Sequence, residues 1–168
     1  MAKDYTVFTY GTLMKGFYGH DNFMLDAEFI GEATVNGDLR FFTIDYPVLI
    51  KKTKGGKPIK GELYKVDEKT LNKLRKYEGI GNPFTCYTER NVTAKTKDGD
   101  VIARSFVVIP RIEMAMLFTS RHISECCWRK FKSKKMRLPI PQPLIISAAA
   151  GLLAAIVWEM HAYGIIHL

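Results

Sequence analysis

An α+β fold, a small mixed β-barrel with one or two short helices, is predicted for residues 1–110, followed by a basic linker and an apolar helix. Three observations lead there. Short runs of β-branched and aromatic residues recur between turn signals from Val7 to Ile109, about seven in all, which fits a barrel-like domain. Clear helical spacing is confined to the stretch from Asp67 to Gly79, with room for one or two further turns near residue 25. Beyond Pro110 the composition becomes basic and then apolar. The expected division is therefore a domain over 1–110, a Pro-containing basic linker over 111–143 and an apolar helix over 144–168.

The first strand is Val7-Phe8-Thr9, whose side chains suit a buried strand, and Gly11 breaks the run where the backbone must turn. A glycine-punctuated loop continues to His20, and Asn22 to Ala27 is long enough for a short helix. From Glu28 the β pattern returns as Phe29-Ile30, Ala33-Thr34-Val35, Leu39 to Ile44 and Val48-Leu49-Ile50. Turns are expected at Asn36-Gly37-Asp38 and at Asp45-Tyr46-Pro47. Lys51 to Lys60 reads as a hairpin tip turning at Gly55-Gly56, its lysines keeping an exposed edge soluble. Ile59 to Val66 comes next as a strand, and Asp67 caps the helix. Two final strands, Cys86 to Lys95 and Val101 to Ile109, flank a turn at Lys97 to Asp100, and Pro110 ends the β pattern.

With 168 residues and 47% hydrophobic content the chain can bury a core, which excludes a disordered protein. The formal charge of +8 is uneven: residues 1–110 hold 17 basic and 14 acidic side chains, residues 111–168 hold 8 and 3. The excess thus belongs to the C-terminal part, where a solvated linker or an acidic surface as partner would account for it. Three cysteines, Cys86, Cys126 and Cys127, form no disulfide framework, and Cys126, Cys127 and His122 make an incomplete zinc set. Met1 to Asp4 runs straight into the first strand with no secretory leader, so a cytoplasmic domain is expected.

Two places suggest chemistry. A strand ending in Tyr10-Gly11-Thr12-Leu13 leaves backbone N–H groups that could cradle an anion. It is not a Walker loop, because Phe17 and Tyr18 follow Gly16 where Lys and Ser/Thr are needed. The second place is Glu78, which shares a helix face with Leu71 and Leu74. Burial there and the nearby helix C-terminus would both favour its protonated form, moving it toward the range of general acid/base work. Pairing with Arg75 or Lys76 at the surface is the alternative.

Tyr10-Gly11-Thr12-Leu13 with Gly16, Asp45-Tyr46-Pro47, Gly61-Glu62-Leu63-Tyr64, and Leu74 followed by Tyr77-Glu78-Gly79 occur in an order that resembles the γ-glutamylcyclotransferase-like proteins, which include γ-glutamylamine cyclotransferases and AIG2-like proteins. The resemblance covers roughly residues 5–109. It implies a small mixed barrel with a cavity at the Tyr10–Leu13 loop, Tyr10, Gly11, Thr12 and Leu13 as substrate-binding residues, and Glu78 as the catalytic glutamate. It further implies release of 5-oxoproline and a free amine from a γ-glutamyl amine or related compound, by attack of the substrate's own α-amine on its γ-amide. No metal or cofactor is required by that chemistry. The alternative is a catalytically silent relative acting as a membrane-associated binding or regulatory module. Two departures stand out: relatives often carry Tyr-x-Arg after the glutamate where this chain has Tyr87-Thr88-Glu89-Arg90, and tyrosine where it has Phe106.

The C-terminal part lies outside that resemblance. Arg129, Lys130, Lys132, Lys134, Lys135 and Arg137 form a basic cluster, Pro139, Pro141 and Pro143 mark a stiff connection, and Leu144 to Trp158 carries no charge. A basic flank before a terminal apolar stretch is the pattern of a tail anchor, although the uncharged run is shorter than the ~20 residues that span a bilayer. A membrane through residues 144–168 is one expected partner and packing on protein the other; nucleic acid is not an expected partner.

Overall fold

The computed structural model describes residues 4–41, 46–52 and 54–135, and the compact unit it defines runs to Ser133. Its strands are β1 (Asp4–Thr9), β2 (Glu28–Phe41), β3 (Pro47–Lys51), β4 (Lys57–Asp67), β5 (Tyr87–Thr96), β6 (Gly99–Val108) and β7 (Arg121–His122). Four short helices accompany them: α1 (Tyr18–Phe23), α2 (Glu68–Tyr77), α3 (Glu113–Thr119) and α4 (Trp128–Lys135). The strand order is β3-β2-β4-β1-β6-β5, and a further β2–β5 pairing at Thr34–Lys95 and Val35–Ala94 closes the barrel. All pairings are antiparallel except β1 with β6, so the barrel is mixed, as expected.

The second half of β1 is buried on both faces, which explains why Val7-Phe8-Thr9 shows no polar alternation. Phe8 enters the barrel interior with Val35, Leu39, Ile59, Leu63 and Val92, while Val7 joins a second cluster with Met24, Tyr64, Leu71, Leu74 and Phe106 beneath α1 and α2. Leu71 and Leu74 are fully buried, each contributing about 1.5–3 kcal/mol and fixing α2 on the barrel. Asp67 caps α2 by accepting the Thr70 N–H at 2.7 Å, as its position predicted.

Two expected turns are absent. Asn36-Gly37-Asp38 lies inside the single 14-residue strand β2, where Gly37 pairs with Lys51 on one side and Lys57 on the other. A Cβ at Gly37 would stand 2.6 Å from Leu49 Cδ1, so this glycine permits close packing rather than a reversal. Lys51 to Lys60 is accordingly no hairpin tip: β3 and β4 both pair with β2, and Lys52 N–H donates to Asn36 O at 3.3 Å. The short helix begins at Tyr18 instead of Asn22, because Gly19 can lie against Thr12 O, 2.8 Å from where its Cβ would be.

The largest difference is at the predicted domain boundary. Residues beyond 110 fold onto the barrel: β7 pairs with β2, Ile123 N–H donates to Leu39 O at 2.8 Å, and Ile123 and Trp128 are fully buried in the barrel-side core. The Arg40 guanidinium donates to Ser120 O at 2.7 Å, Ser120 Oγ at 2.8 Å and Leu117 O at 2.9 Å, holding the end of α3. The stretch reads as a linker because Arg129, Lys130 and Lys132 dominate its composition, yet Trp128 and Phe131, three apart on α4, face inward. The predicted strand end at residues 42–44, Asp45 of the expected turn, the remainder of the 111–143 segment from residue 136, and the apolar helix over 144–168 lie outside the described residues. Among the described residues no helix is long and apolar enough to cross a membrane.

Candidate active site

The chain leaves β1 at Thr9 and reverses immediately. Met14 N–H donates to Gly11 O at 3.1 Å, closing a turn over Gly11 to Met14. Gly11 is required there by contact: a Cβ would lie 2.5 Å from Pro47 Cγ at the start of β3. Thr12 is held from two sides, its carbonyl accepting the His20 N–H of α1 at 3.1 Å and its hydroxyl lying 3.2 Å from the Tyr77 hydroxyl at the end of α2. Among the described residues, the N–H groups of Gly11, Thr12 and Leu13 donate to no backbone carbonyl.

Glu78 comes directly after Tyr77 as the C-cap of α2. Gly79, at φ +70°, donates its N–H to Lys76 O at 3.1 Å, and Ile80 N–H donates to Arg75 O at 2.8 Å. This paired closure stops the helix and sets the direction of the Glu78 side chain. The Glu78 carbonyl also accepts from Thr85 Oγ1 at 2.9 Å. Burial pushes the Glu78 carboxyl up to about pKa 7. The surface alternative does not hold: Arg75 instead donates to Glu89, with Nε 2.6 Å from Oε2 and Nη2 3.1 Å from Oε1.

Tyr10, Gly11, Thr12, Leu13 and Glu78, all singled out in the sequence, line one cavity of about 370 Å³, a size suited to a small ligand. Arg90 does not; it is exposed on β5 opposite Ser105. Phe106 does, offering only its ring and a backbone carbonyl that accepts the Tyr10 hydroxyl at 2.7 Å. Sequence reasoning misses Tyr46, Tyr77, Phe84, Cys86 and Tyr87 as wall residues. Tyr77 and Tyr46 lie within two of the motifs, Phe84 comes from a connection with no periodicity to track, and Cys86 and Tyr87 stand where β5 begins, where strand alternation alone does not say what their side chains face. Tyr87 donates to Pro47 O at 2.8 Å, which ties β5 to the residue packed on Gly11.

The cavity is electrostatically plain. Burial holds the Tyr10 and Tyr87 hydroxyls neutral, with Glu78 reinforcing the effect, and pushes the Cys86 thiol up to about pKa 11. Among the described residues no Lys, Arg or His lines it, and Glu78 is the lining group among them whose pKa falls near neutral pH. Among the described residues no three His, Cys, Asp or Glu side chains gather as a metal centre would require.

The sequence profile of the family described as Gamma-glutamyl cyclotransferase, AIG2-like, matches residues 7–130, and the chain belongs to that family. A Methanocaldococcus jannaschii protein provisionally named a gamma-glutamylcyclotransferase is 36% identical over 73 residues, which is 44% of this chain and 60% of that protein. Among solved structures, YkqA from Bacillus subtilis superposes with a TM-score of 0.62 at 24% identity, covering 82% of this chain and 45% of YkqA. An AIG2-like protein from mouse gives 0.55 at 20% identity, covering 64% of this chain and 81% of that one. The chain thus spans less than two thirds of the M. jannaschii protein and of YkqA, and the structural likenesses establish a shared fold.

Proposed function

We propose that this protein is a cyclotransferase that releases 5-oxoproline and a free amine from a γ-glutamyl amine. The observation that carries the reading is a half-buried carboxyl, Glu78, the one carboxyl among the described lining residues, in the same small cavity as a turn whose N–H groups have no backbone acceptor among those residues. In this reading the N–H groups of Gly11 to Leu13 hold the substrate's α-carboxylate, because aligned backbone donors bind an anion without a cationic side chain. Glu78, ionised, takes a proton from the α-ammonium. The freed amine attacks the γ-carbonyl carbon, the new C–N bond closes the five-membered lactam, and the old C–N bond breaks as the proton passes to the departing nitrogen. Nucleophile and electrophile belong to one molecule, so holding them in a near-attack shape supplies much of the acceleration.

The lining also favours a leaving amine without a carboxylate. A γ-glutamyl amino acid would bring a second anion, and among the described residues no lining cation stands ready to meet it, whereas Tyr46 and Phe84 at the exposed rim offer aromatic faces. The test is direct. Purified protein should release 5-oxoproline from γ-glutamyl amines, with kcat/KM rising with pH through a midpoint near 7 as Glu78 ionises. Glu78→Gln should lower kcat by roughly 10²–10⁴-fold. No turnover by wild type across a broad γ-glutamyl panel, or full activity in the variant, would sink the proposal.

A further inference from the structure

On the side of the Tyr10–Leu13 turn away from the cavity, the chain continuing as Met14 to Phe17 meets Glu62 of β4. Glu62 faces outward with Tyr64, two residues on, and its side chain is only 13% exposed. One carboxylate oxygen accepts both the Lys15 N–H and the Tyr64 hydroxyl, each at 2.8 Å. The other accepts Arg129 Nη2 of α4 at 2.8 Å. The same guanidinium lies over the Phe17 ring, 5.3 Å from its centroid, with Nη1 3.6 Å from where a Gly16 Cβ would stand. Arg129 is not placed by chance, since the adjacent Trp128 is fully buried and Lys60 N–H donates to Cys126 O at 2.9 Å, lashing the approach to α4 along β4.

We infer that Arg129 and Glu62 are positioning residues for the Tyr10–Leu13 turn, so that the segment after residue 110 controls how firmly the proposed substrate is gripped. The inference rests on the cyclotransferase reading for its kinetic consequence but not for its structural one. The Lys15 N–H is one residue past the hydrogen-bonded turn, and Glu62 is the acceptor that pins it. Arg129 supplies the opposite charge that keeps this carboxylate aimed at the loop and covers Phe17 from solvent. The bond is charge-assisted and, although the Arg129 side chain is 49% exposed, the Arg129 backbone is held by the buried Trp128 beside it. Without that bond, the turn must be ordered afresh each time a ligand binds, a cost that appears in binding. Glu78 sits at the end of α2, closed by that helix's own backbone bonds, and among the described residues no hydrogen bond joins it to Glu62, Lys15 or Arg129.

The experiment compares full-length wild type with Arg129→Ala, Arg129→Lys and Glu62→Gln, measuring hydrogen exchange across residues 11–17 and 68–78 and steady-state kinetics on γ-glutamyl amines. Exchange over 11–17 should rise in Arg129→Ala and Glu62→Gln while 68–78 stays as in wild type, and Arg129→Lys should restore part of the protection. KM should rise about tenfold, equivalent to about 1.4 kcal/mol, with kcat within about twofold of wild type and its pH midpoint unmoved. Unchanged exchange over 11–17, or exchange raised equally in both segments, overturns the inference, as does a loss confined to kcat. If wild type turns over none of the panel, the cyclotransferase reading fails by itself, and the exchange pattern still decides whether Arg129 and Glu62 hold the turn.

Discussion

Glu78 carries a thermodynamic signature separate from its chemistry. Its carboxyl is harder to ionise in the folded chain than in the unfolded one, because burial raises its pKa to about 7. The associated stability is therefore fully present below the unfolded value near 4.5 and is lost as pH rises through 7. Glu78→Gln removes that loss. The variant should match wild type in thermal stability near pH 5 and exceed it near pH 8, by on the order of 2 kcal/mol. An equal or lower melting temperature at pH 8 would mean that the carboxyl is better solvated than its surroundings indicate. Stabilisation by loss of a site residue is what a strained functional group produces.

At the scale of elements, Glu89 joins α2 to two strands. From β5 it accepts hydrogen bonds from Arg75 of α2 and Arg104 of β6, and Arg104 also stacks over Tyr5 of β1. Burial alone would raise its pKa, but the two guanidinium groups outweigh that and hold the carboxyl below its ordinary value. Such a group stabilises above its unfolded pKa and stops doing so as pH falls through the folded value. Glu89→Gln should cost about 1–2 kcal/mol at pH 7, a difference that shrinks in urea titrations as pH falls from the ordinary value of 4.5 through the lower folded one. The bridge also separates what local rules can foretell from what they cannot. Asp67, Leu71, Leu74 and Gly79 announce α2 through local rules alone, and with them Glu78 on its buried face. Nothing local announces that Arg75 pairs with Glu89 and not with Glu78, since that choice depends on β5 lying alongside. The same limit explains Gly37: a glycine between two β runs signals a turn locally, and only the register of β3 and β4 on either side of it shows why the strand continues.

The whole molecule differs from its sequence outline chiefly in where the barrel's cover ends. The family motifs finish before residue 110, but the barrel leaves Leu39, Phe41 and Ile59 on a side that is covered by Ile123, Trp128 and Phe131. Apolar residues spaced through a lysine-rich stretch are outweighed in any compositional measure, and a two-residue strand such as β7 has no periodicity. A chain ended at residue 110 should consequently expose that face, lose the Arg40 bonds to the α3 end, and be aggregated or unfolded. One ended at residue 135 should retain a cooperative melt. Recovery of a monomeric, folded 1–110 fragment would show that α3 and α4 are dispensable cover. The proposed site is legible because its two halves are short-range motifs; its walls are not, because they come from Tyr46, Phe84 and Tyr87, which meet only after the barrel closes.

Trp128 gives the α4 helix an optical signal. The chain has two tryptophans, and Trp128 is the one within the described residues, fully buried against Phe131, with its indole N–H accepted by no group among them. A ring so enclosed emits at short wavelength, and water reaching it moves the emission to the red. With Trp158→Phe, the remaining fluorophore would report the seating of α4 beside Arg129, and hence of the turn that Arg129 steadies. A red shift preceding loss of β-sheet circular dichroism on heating would identify α4 as the first part to lift away; coincident transitions would make it inseparable from the barrel.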